Sequence, residues 1–113
     1  MIILVINKFF GKRFLGITLW PFILIKNQAL KSDTILINHE KIHLRQQIEM
    51  FVIPFYLWYG IEYLFRLIQY KNRHLAYRNI SFEREAYANE TNLTYLKSRR
   101  LWRFLYFMNL KKQ

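Results

Sequence analysis

The pentapeptide HEKIH at residues 39–43 restricts the fold of this chain more than any other feature. In an α-helix, residues four positions apart lie on the same face, one turn from each other. Several apolar and polar residues repeat at spacings of three and four and join both histidines in one stripe. This predicted inward stripe consists of Ile35, His39, Ile42, His43, Gln46 and Met50. The pattern predicts a helix over residues 34–51, capped by Ser32 or Asp33.

Two imidazoles one helical turn apart have the geometry that is needed to bind one Zn²⁺ at about 2.0–2.1 Å. The chain contains no cysteine, so its metal ligands must be His, Asp or Glu. Glu40 lies next to His39 and can act as a general base towards a water that the metal activates. The sequence therefore predicts His39 and His43 as zinc ligands and Glu40 as the catalytic base. The alternative is a surface histidine pair that flanks a glutamate.

A catalytic zinc needs a third protein ligand, for which the sequence offers four candidates. They are Glu83, Glu85, Glu90 and His74. Glu83 and Glu85 lie about 200° apart around a helix, so only one of them can face the metal. Both could instead favour a helix N-terminus through the helix dipole. Glu90 could support a ligand or be exposed, and His74 could be a ligand, an oxyanion donor or a solvated side chain.

The remainder of the chain predicts a small sheet followed by helices in a single domain over residues 1–113. Residues 2–6 and 17–25 are apolar and rich in β-branched and aromatic side chains, which favours strands, and Pro21 favours an edge strand. Pro54 predicts a break near residues 50–54 before a second helix that ends near residue 69.

Two further helices are predicted in the C-terminal part of the chain. Residues 70–79 are polar and basic, and we expect a connector there. Ser81 can cap a helix over residues 82–99, and a basic, aromatic helix is predicted over residues 101–112. The expected fold class is therefore α+β and mostly α.

The excess of 18 basic over 7 acidic residues gives a formal charge of +11 and favours anionic partners. Aromatic residues make up 19% of the chain and often adjoin Lys or Arg, which is typical of contact with an anionic membrane surface. The alternative is a solvated basic face over an aromatic-rich core. Nucleic acid is not an expected partner, because no recognised nucleic-acid motif accompanies the charge.

Two apolar segments bear on the expected location of the protein. The apolar start, residues 2–6, is too short for a signal peptide and has no preceding charged region. Residues 51–61 form the longest apolar stretch, which is too short to cross a bilayer. We expect an intracellular protein that is not secreted by a signal peptide. Peripheral or monotopic attachment at the cytoplasmic membrane is favoured over spanning.

HEKIH, followed about forty residues later by FEREAY at 82–87, resembles the gluzincin group of zinc metallopeptidases. That group combines HExxH with a downstream glutamate helix of the type E-x-x-A-D. The chain is also similar in length to the minimal members called minigluzincins. The two motifs further resemble those of the CAAX prenyl protease and heat-shock membrane protease group, which carries them around apolar helices.

The resemblance implies a minimal zincin-like fold with a small N-terminal antiparallel sheet and three to four helices. It also implies a zinc metalloendopeptidase in which His39, His43 and Glu83 bind Zn²⁺ and Glu40 is the base. A peptide or protein substrate would lie along an edge strand.

The chain departs from the gluzincin pattern at one position. Tyr87 stands where the family usually places an acidic residue four positions after the ligand glutamate. A ligating imidazole needs a partner for its other nitrogen, and Tyr87, Asn89 or Gln47 could supply it. The alternative function is therefore a catalytically inactive zincin-like protein with a membrane-surface or regulatory role.

Overall fold

The computed structural model describes residues 2–6 and 15–109. A small mixed sheet is followed by helices, which confirms the α+β, mostly α class. The strands are β1 (Ile2–Val5), β2 (Gly16–Leu19) and β3 (Phe22–Ile25). The α-helices are α1 (Thr34–Glu49), α2 (Ile53–Tyr70), α3 (Arg73–Arg78), α4 (Ser81–Asn89) and α5 (Tyr95–Ser98). Two 3₁₀ helices lie at Gln28–Ser32 and Arg103–Phe107.

The segment 17–25 contains a hairpin and not one strand. Pro21 lies between β2 and β3, where it needs to donate no ladder hydrogen bond. The strand order is β1-β3-β2, so the apolar strand β3 is central and β2 lies at an edge. β2 is antiparallel to β3, but β1 runs parallel to it, so the sheet is mixed and the antiparallel prediction is wrong for β1.

The break predicted around Pro54 is confirmed. α1 is capped by Asp33, whose side chain accepts a hydrogen bond from the Leu36 amide at 3.0 Å. Phe51 and Val52 have positive φ angles of 58° and 61°, which turn the chain between α1 and α2 through a bend of 114°. Pro54 lies in the first turn of α2, where the missing amide proton costs nothing.

Three predictions in the second half of the chain need correction. The predicted connector at 70–79 contains α3, which is capped by the Asn72 side chain. The helix predicted over 82–99 ends with α4, and α5 is separate. Of the helix predicted over 101–112, the structure describes a 3₁₀ helix; residues 110–112 lie outside the described residues.

The N-terminus of α4 is held by another helix and not by the predicted Ser81 cap. The Glu62 carboxylate of α2 accepts hydrogen bonds from the Ser81 amide, at 2.7 Å, and from the Ser81 hydroxyl. A carboxylate at a helix N-terminus satisfies free amides and is stabilised by the helix dipole. The contact fixes the start of α4, and with it Glu83, against α2.

The core contains two apolar clusters. One joins Met50, Phe55, Ile80, Phe82 and Phe104, and the other joins Ile23, Ile25, Ile37 and Leu44. The predicted inward stripe of α1 is buried except at Ile35, which is 42% exposed. No single helix in the described ranges is long and apolar enough to cross a membrane, although the bent pair α1–α2 passes the same test jointly.

Candidate metal centre

Three side chains from α1 and α4 converge in the interior. His39 and His43 lie one turn apart on α1, and their Nε2 atoms are 3.1 Å apart. Glu83, in the first turn of α4, places its Oε1 at 3.3 Å from His39 Nε2 and at 3.0 Å from His43 Nε2. All three residues are buried, and together they could hold a metal ion.

The spacing of these three atoms fits the coordination of a small divalent ion. Around a tetrahedral ion with bonds of about 2.0–2.1 Å, neighbouring ligand atoms are about 3.3 Å apart. The observed separations of 3.0–3.3 Å are close to that value. An ion held by these three residues would have a fourth tetrahedral position, which water or a substrate would take.

Gln46 fixes the imidazole of His43 in the form that can bind a metal. The amide nitrogen of Gln46 donates to the Phe82 carbonyl at 3.1 Å and to Glu85 Oε1 at 2.9 Å. Its oxygen therefore faces His43 Nδ1 at 2.8 Å and accepts a hydrogen bond from it. With the proton on Nδ1, the neutral imidazole has its lone pair on Nε2, which points into the centre.

His39 has a different set of neighbours. The Tyr87 ring packs edge-on against the His39 ring, with centroids 4.5 Å apart. Glu90 Oε2 lies 3.9 Å from His39 Nδ1, beyond direct hydrogen-bond distance but close enough to attract a positive charge there. The side chain of Glu90, two turns after Glu83, thus lies on the outer side of this imidazole.

Glu83 is anchored by α2 as well as by the imidazoles. The Tyr59 hydroxyl donates to Glu83 Oε2 at 2.7 Å, which leaves Oε1 directed at the two Nε2 atoms. Burial raises the pKa of Glu83, but the His43 and His39 imidazoles outweigh burial and hold the pKa far below its usual range. Glu83 therefore remains a carboxylate, the form that binds metal.

The electrostatics of the centre favour a cation between the three side chains. Burial lowers the pKa of His43, yet the negative charges of Glu83 and Glu40 outweigh this and raise it to about 9. Two ring lone pairs and a carboxylate oxygen that face one another repel unless a cation lies between them. A proton on an imidazole meets this need in the metal-free protein, and a metal ion can replace that proton.

Glu40 lies next to the ligands on α1 and is held by the edge strand. The Thr18 hydroxyl of β2 lies within hydrogen-bonding distance of Glu40 Oε1, at 2.9 Å, and of the Glu40 carbonyl, at 3.1 Å. Burial raises the pKa of Glu40, against the opposing effect of the His43 and His39 imidazoles. A Cβ atom at Gly16 would lie 3.6 Å from the Glu40 side chain, so β2 passes close to this carboxylate.

Glu85 faces away from the three ligands, as the 200° separation from Glu83 predicts. Its carboxylate accepts hydrogen bonds from Tyr95, Gln46 and Arg99. Arg99 also binds Glu49 through two bonds of 2.9 Å, so one buried guanidinium joins two carboxylates. Glu85 therefore belongs to a buried ionic network that ties α4 to α1 and to the segment after α5.

Three other predicted residues lie outside the cluster of ligands. His74 is exposed on α3 and lines a pocket of ≈ 790 Å³ together with Tyr59 and Tyr77. Gln47 hydrogen-bonds to the Thr18 carbonyl of β2 and to the amide of Trp20, the residue after β2. Asn89 binds the Glu85 carbonyl through its side chain.

Sequence reasoning missed Gln46, Tyr59 and Thr18 as supports of the centre. Gln46 carries a signal, since it lies three residues after His43 on the predicted inward stripe. Tyr59 and Thr18 carry none, because each reaches the centre through a tertiary contact between separate elements.

The described residues thus define the protein as an α+β protein with a buried His-His-Glu centre. Comparison with protein-family models, with curated proteins and with solved structures found no match for the chain.

Proposed function

We propose that the protein is a zinc-dependent metallopeptidase of the minimal gluzincin type. The observation that carries the proposal is the convergence of His39 Nε2, His43 Nε2 and Glu83 Oε1 at 3.0–3.3 Å, with Glu40 adjacent to His39. Two imidazoles and one carboxylate, with a fourth position open, are the ligand set of catalytic zinc in several peptidases.

The donor atoms favour zinc over other biological metals. Mg²⁺ and Ca²⁺ prefer sites made of oxygen, whereas imidazole suits zinc and its neighbours in the first transition row. When bound, zinc supplies a Lewis acid that polarises a carbonyl and lowers the pKa of water.

Each residue then has a defined task in peptide hydrolysis. Glu40 accepts a proton from the attacking water and transfers it to the leaving amine, a role that its raised pKa assists. Thr18 orients the Glu40 carboxylate through its hydroxyl. Gln46 and Tyr59 hold His43 and Glu83 in the ligating orientation.

β2 is the proposed binding strand for an extended substrate. It lies at the edge of the sheet and passes Glu40 at Thr18 and Gly16. Extended peptides bind edge strands through main-chain hydrogen bonds.

The proposal is tested by zinc content and peptidase activity in three variants. We expect one zinc per chain in the wild type after exposure to zinc and dialysis. His43→Ala should lose the metal, whereas Glu40→Gln should keep it and lose hydrolysis of an unstructured protein such as casein. His74→Ala is the matched control for metal binding, because His74 is exposed and lies outside the cluster of ligands, and it should keep the zinc.

Two results would contradict parts of the proposal in different ways. A folded wild-type protein that retains no zinc overturns both the metal site and the activity. Zinc retention by the wild type without hydrolysis of any peptide mixture would overturn the peptidase and favour the zinc-binding regulatory protein instead.

A further inference from the structure

The outer face of α2 is an aliphatic stripe that no described residue covers. Its five members recur at spacings of four, four, three and four and are 60–78% exposed. They are Ile53, Leu57, Ile61, Leu64 and Ile68. At 1.5 Å per residue the stripe is about 22 Å long, and the five side chains fall within an arc of about 80°. Phe51 and Phe65 extend it, with exposures of 83% and 43%.

The stripe lies opposite the face of α2 that packs on the metal centre. Tyr59, which binds Glu83, and the buried Phe55 point about 160–200° away from the middle of the stripe. The aliphatic residues therefore contribute nothing to the core. A helix that is buried on one face and aliphatic on the exposed face is unusual for a surface in contact with water only.

The exposed charged residues that the structure describes are almost all cationic. Of the seven acidic residues, all described, only Asp33 is exposed, and Glu90 is half-buried. The carboxylates of the other five form contacts inside the protein, at the metal centre, at the Arg99 network and at the start of α4. Among the described residues, the exposed charge is therefore predominantly positive.

Exposed cations and aromatic rings lie next to α2, at its C-terminal end and in a segment that packs on it. Lys71 and Arg73 are exposed immediately after α2. Alongside α2 runs the segment 100–109, which contacts it where Trp58 meets Phe104 and where Arg66 donates to the Asn109 carbonyl. This segment exposes Trp102, Tyr106 and Arg100. Tryptophan and tyrosine prefer the headgroup region of a bilayer, and arginine binds anionic headgroups there.

We infer that the aliphatic stripe of α2 docks on an anionic lipid bilayer, with the helix lying in the plane of the interface. Aliphatic side chains along the stripe enter the acyl boundary, and Lys71 and Arg73 at the end of α2 bind headgroups. The metal centre then lies about one helix diameter, about 10 Å, from the interface, on the protein side of α2.

Charge and shape favour lipid over the two other occupants of such a face. Nucleic acid offers negative charge but no apolar phase for five aliphatic side chains. A second copy of the chain offers an apolar stripe, yet it brings the same cationic surface, which repels. An anionic bilayer supplies both the apolar phase and the opposite charge.

The test is co-sedimentation of the full chain with vesicles of phosphatidylcholine alone and of phosphatidylcholine mixed with phosphatidylglycerol. We expect binding to the mixed vesicles, and a loss of at least about tenfold in partitioning for Leu57→Ser/Ile61→Ser. Leu93→Ser is the matched control, since Leu93 is 56% exposed beside Asn92, on the side of the protein that contacts α1, and it should bind as wild type does. Circular dichroism should show that the variants are folded.

Three outcomes would overturn the inference. They are an absence of binding to mixed vesicles, equal binding of the double variant, and a wild-type dimer in lipid-free solution that Leu57→Ser/Ile61→Ser converts to monomer. In the first case, binding of an oligonucleotide would assign the cationic surface to nucleic acid. Because the assay needs neither zinc nor hydrolysis, its result is independent of the proposed peptidase activity.

Discussion

Gln46 and Gln47 are adjacent buried glutamines. Comparing their substitutions separates the effect of Gln46 on metal binding from its effect on stability. Each makes three hydrogen bonds through its amide. Gln46 binds a predicted ligand, His43, whereas Gln47 binds the backbone of β2 and the Tyr56 hydroxyl. Gln46→Met and Gln47→Met remove the same polar groups and leave side chains of similar length.

The expected magnitudes follow from these contacts. Three hydrogen bonds at a net contribution of about 1 kcal/mol each predict a loss of about 3 kcal/mol in the free energy of unfolding for either variant. Loss of a hydrogen-bond partner of a metal-bound imidazole weakens metal affinity by about 10- to 100-fold. We therefore expect Gln46→Met to weaken zinc binding by about 1.4–2.8 kcal/mol and Gln47→Met to leave it unchanged.

Competition with a chromophoric chelator measures the zinc affinity, and urea denaturation of the metal-free proteins measures stability. The reasoning is refuted if Gln46→Met binds zinc as tightly as wild type does. It is equally refuted if both variants lose the same affinity, because the effect would then follow from general destabilisation.

Two further predictions concern protons and buried charge. Because the pKa of His43 is raised to about 9, a proton must leave this imidazole when a metal binds. Zinc affinity should therefore fall roughly tenfold per pH unit as the pH decreases below that value. Equal affinities in chelator competition at about pH 6 and about pH 8 would contradict this prediction. Arg99→Ala leaves the Glu49 and Glu85 carboxylates buried without their guanidinium partner. In urea denaturation it should lower the free energy of unfolding by about 3–5 kcal/mol, and Arg99→Lys should recover part of this loss. A loss below about 1 kcal/mol would contradict the stabilising role of the network.

Features that depend on local periodicity could be predicted from the sequence. The helix around HEKIH, its Asp33 cap and the break at Pro54 follow from spacing, capping and the missing proline amide. The phase difference between Glu83 and Glu85 required that only one could face the imidazoles. The resemblance selected Glu83, which is the residue that lies there.

Features that depend on contacts between distant elements could not be predicted. Ser81 has the right residue type for a helix cap, but the buried Glu62 carboxylate performs that task from α2. Tyr87 occupies the place of an expected acid, and the carboxylate near His39 comes instead from Glu90. The parallel pairing of β1 with β3 also required the tertiary arrangement, because strand sequences of this length do not encode direction.

The burial of five of the seven carboxylates has a practical consequence for experiments on the protein. Exposed Lys and Arg side chains keep their charge throughout the neutral and mildly acidic range, so a moderate change of pH barely alters the outer surface. Salt concentration does alter the distance over which the surface charge acts, because the Debye length shortens from about 30 Å at 0.01 M to about 10 Å at 0.1 M. Ionic strength is therefore the effective control over adhesion to polyanions during purification.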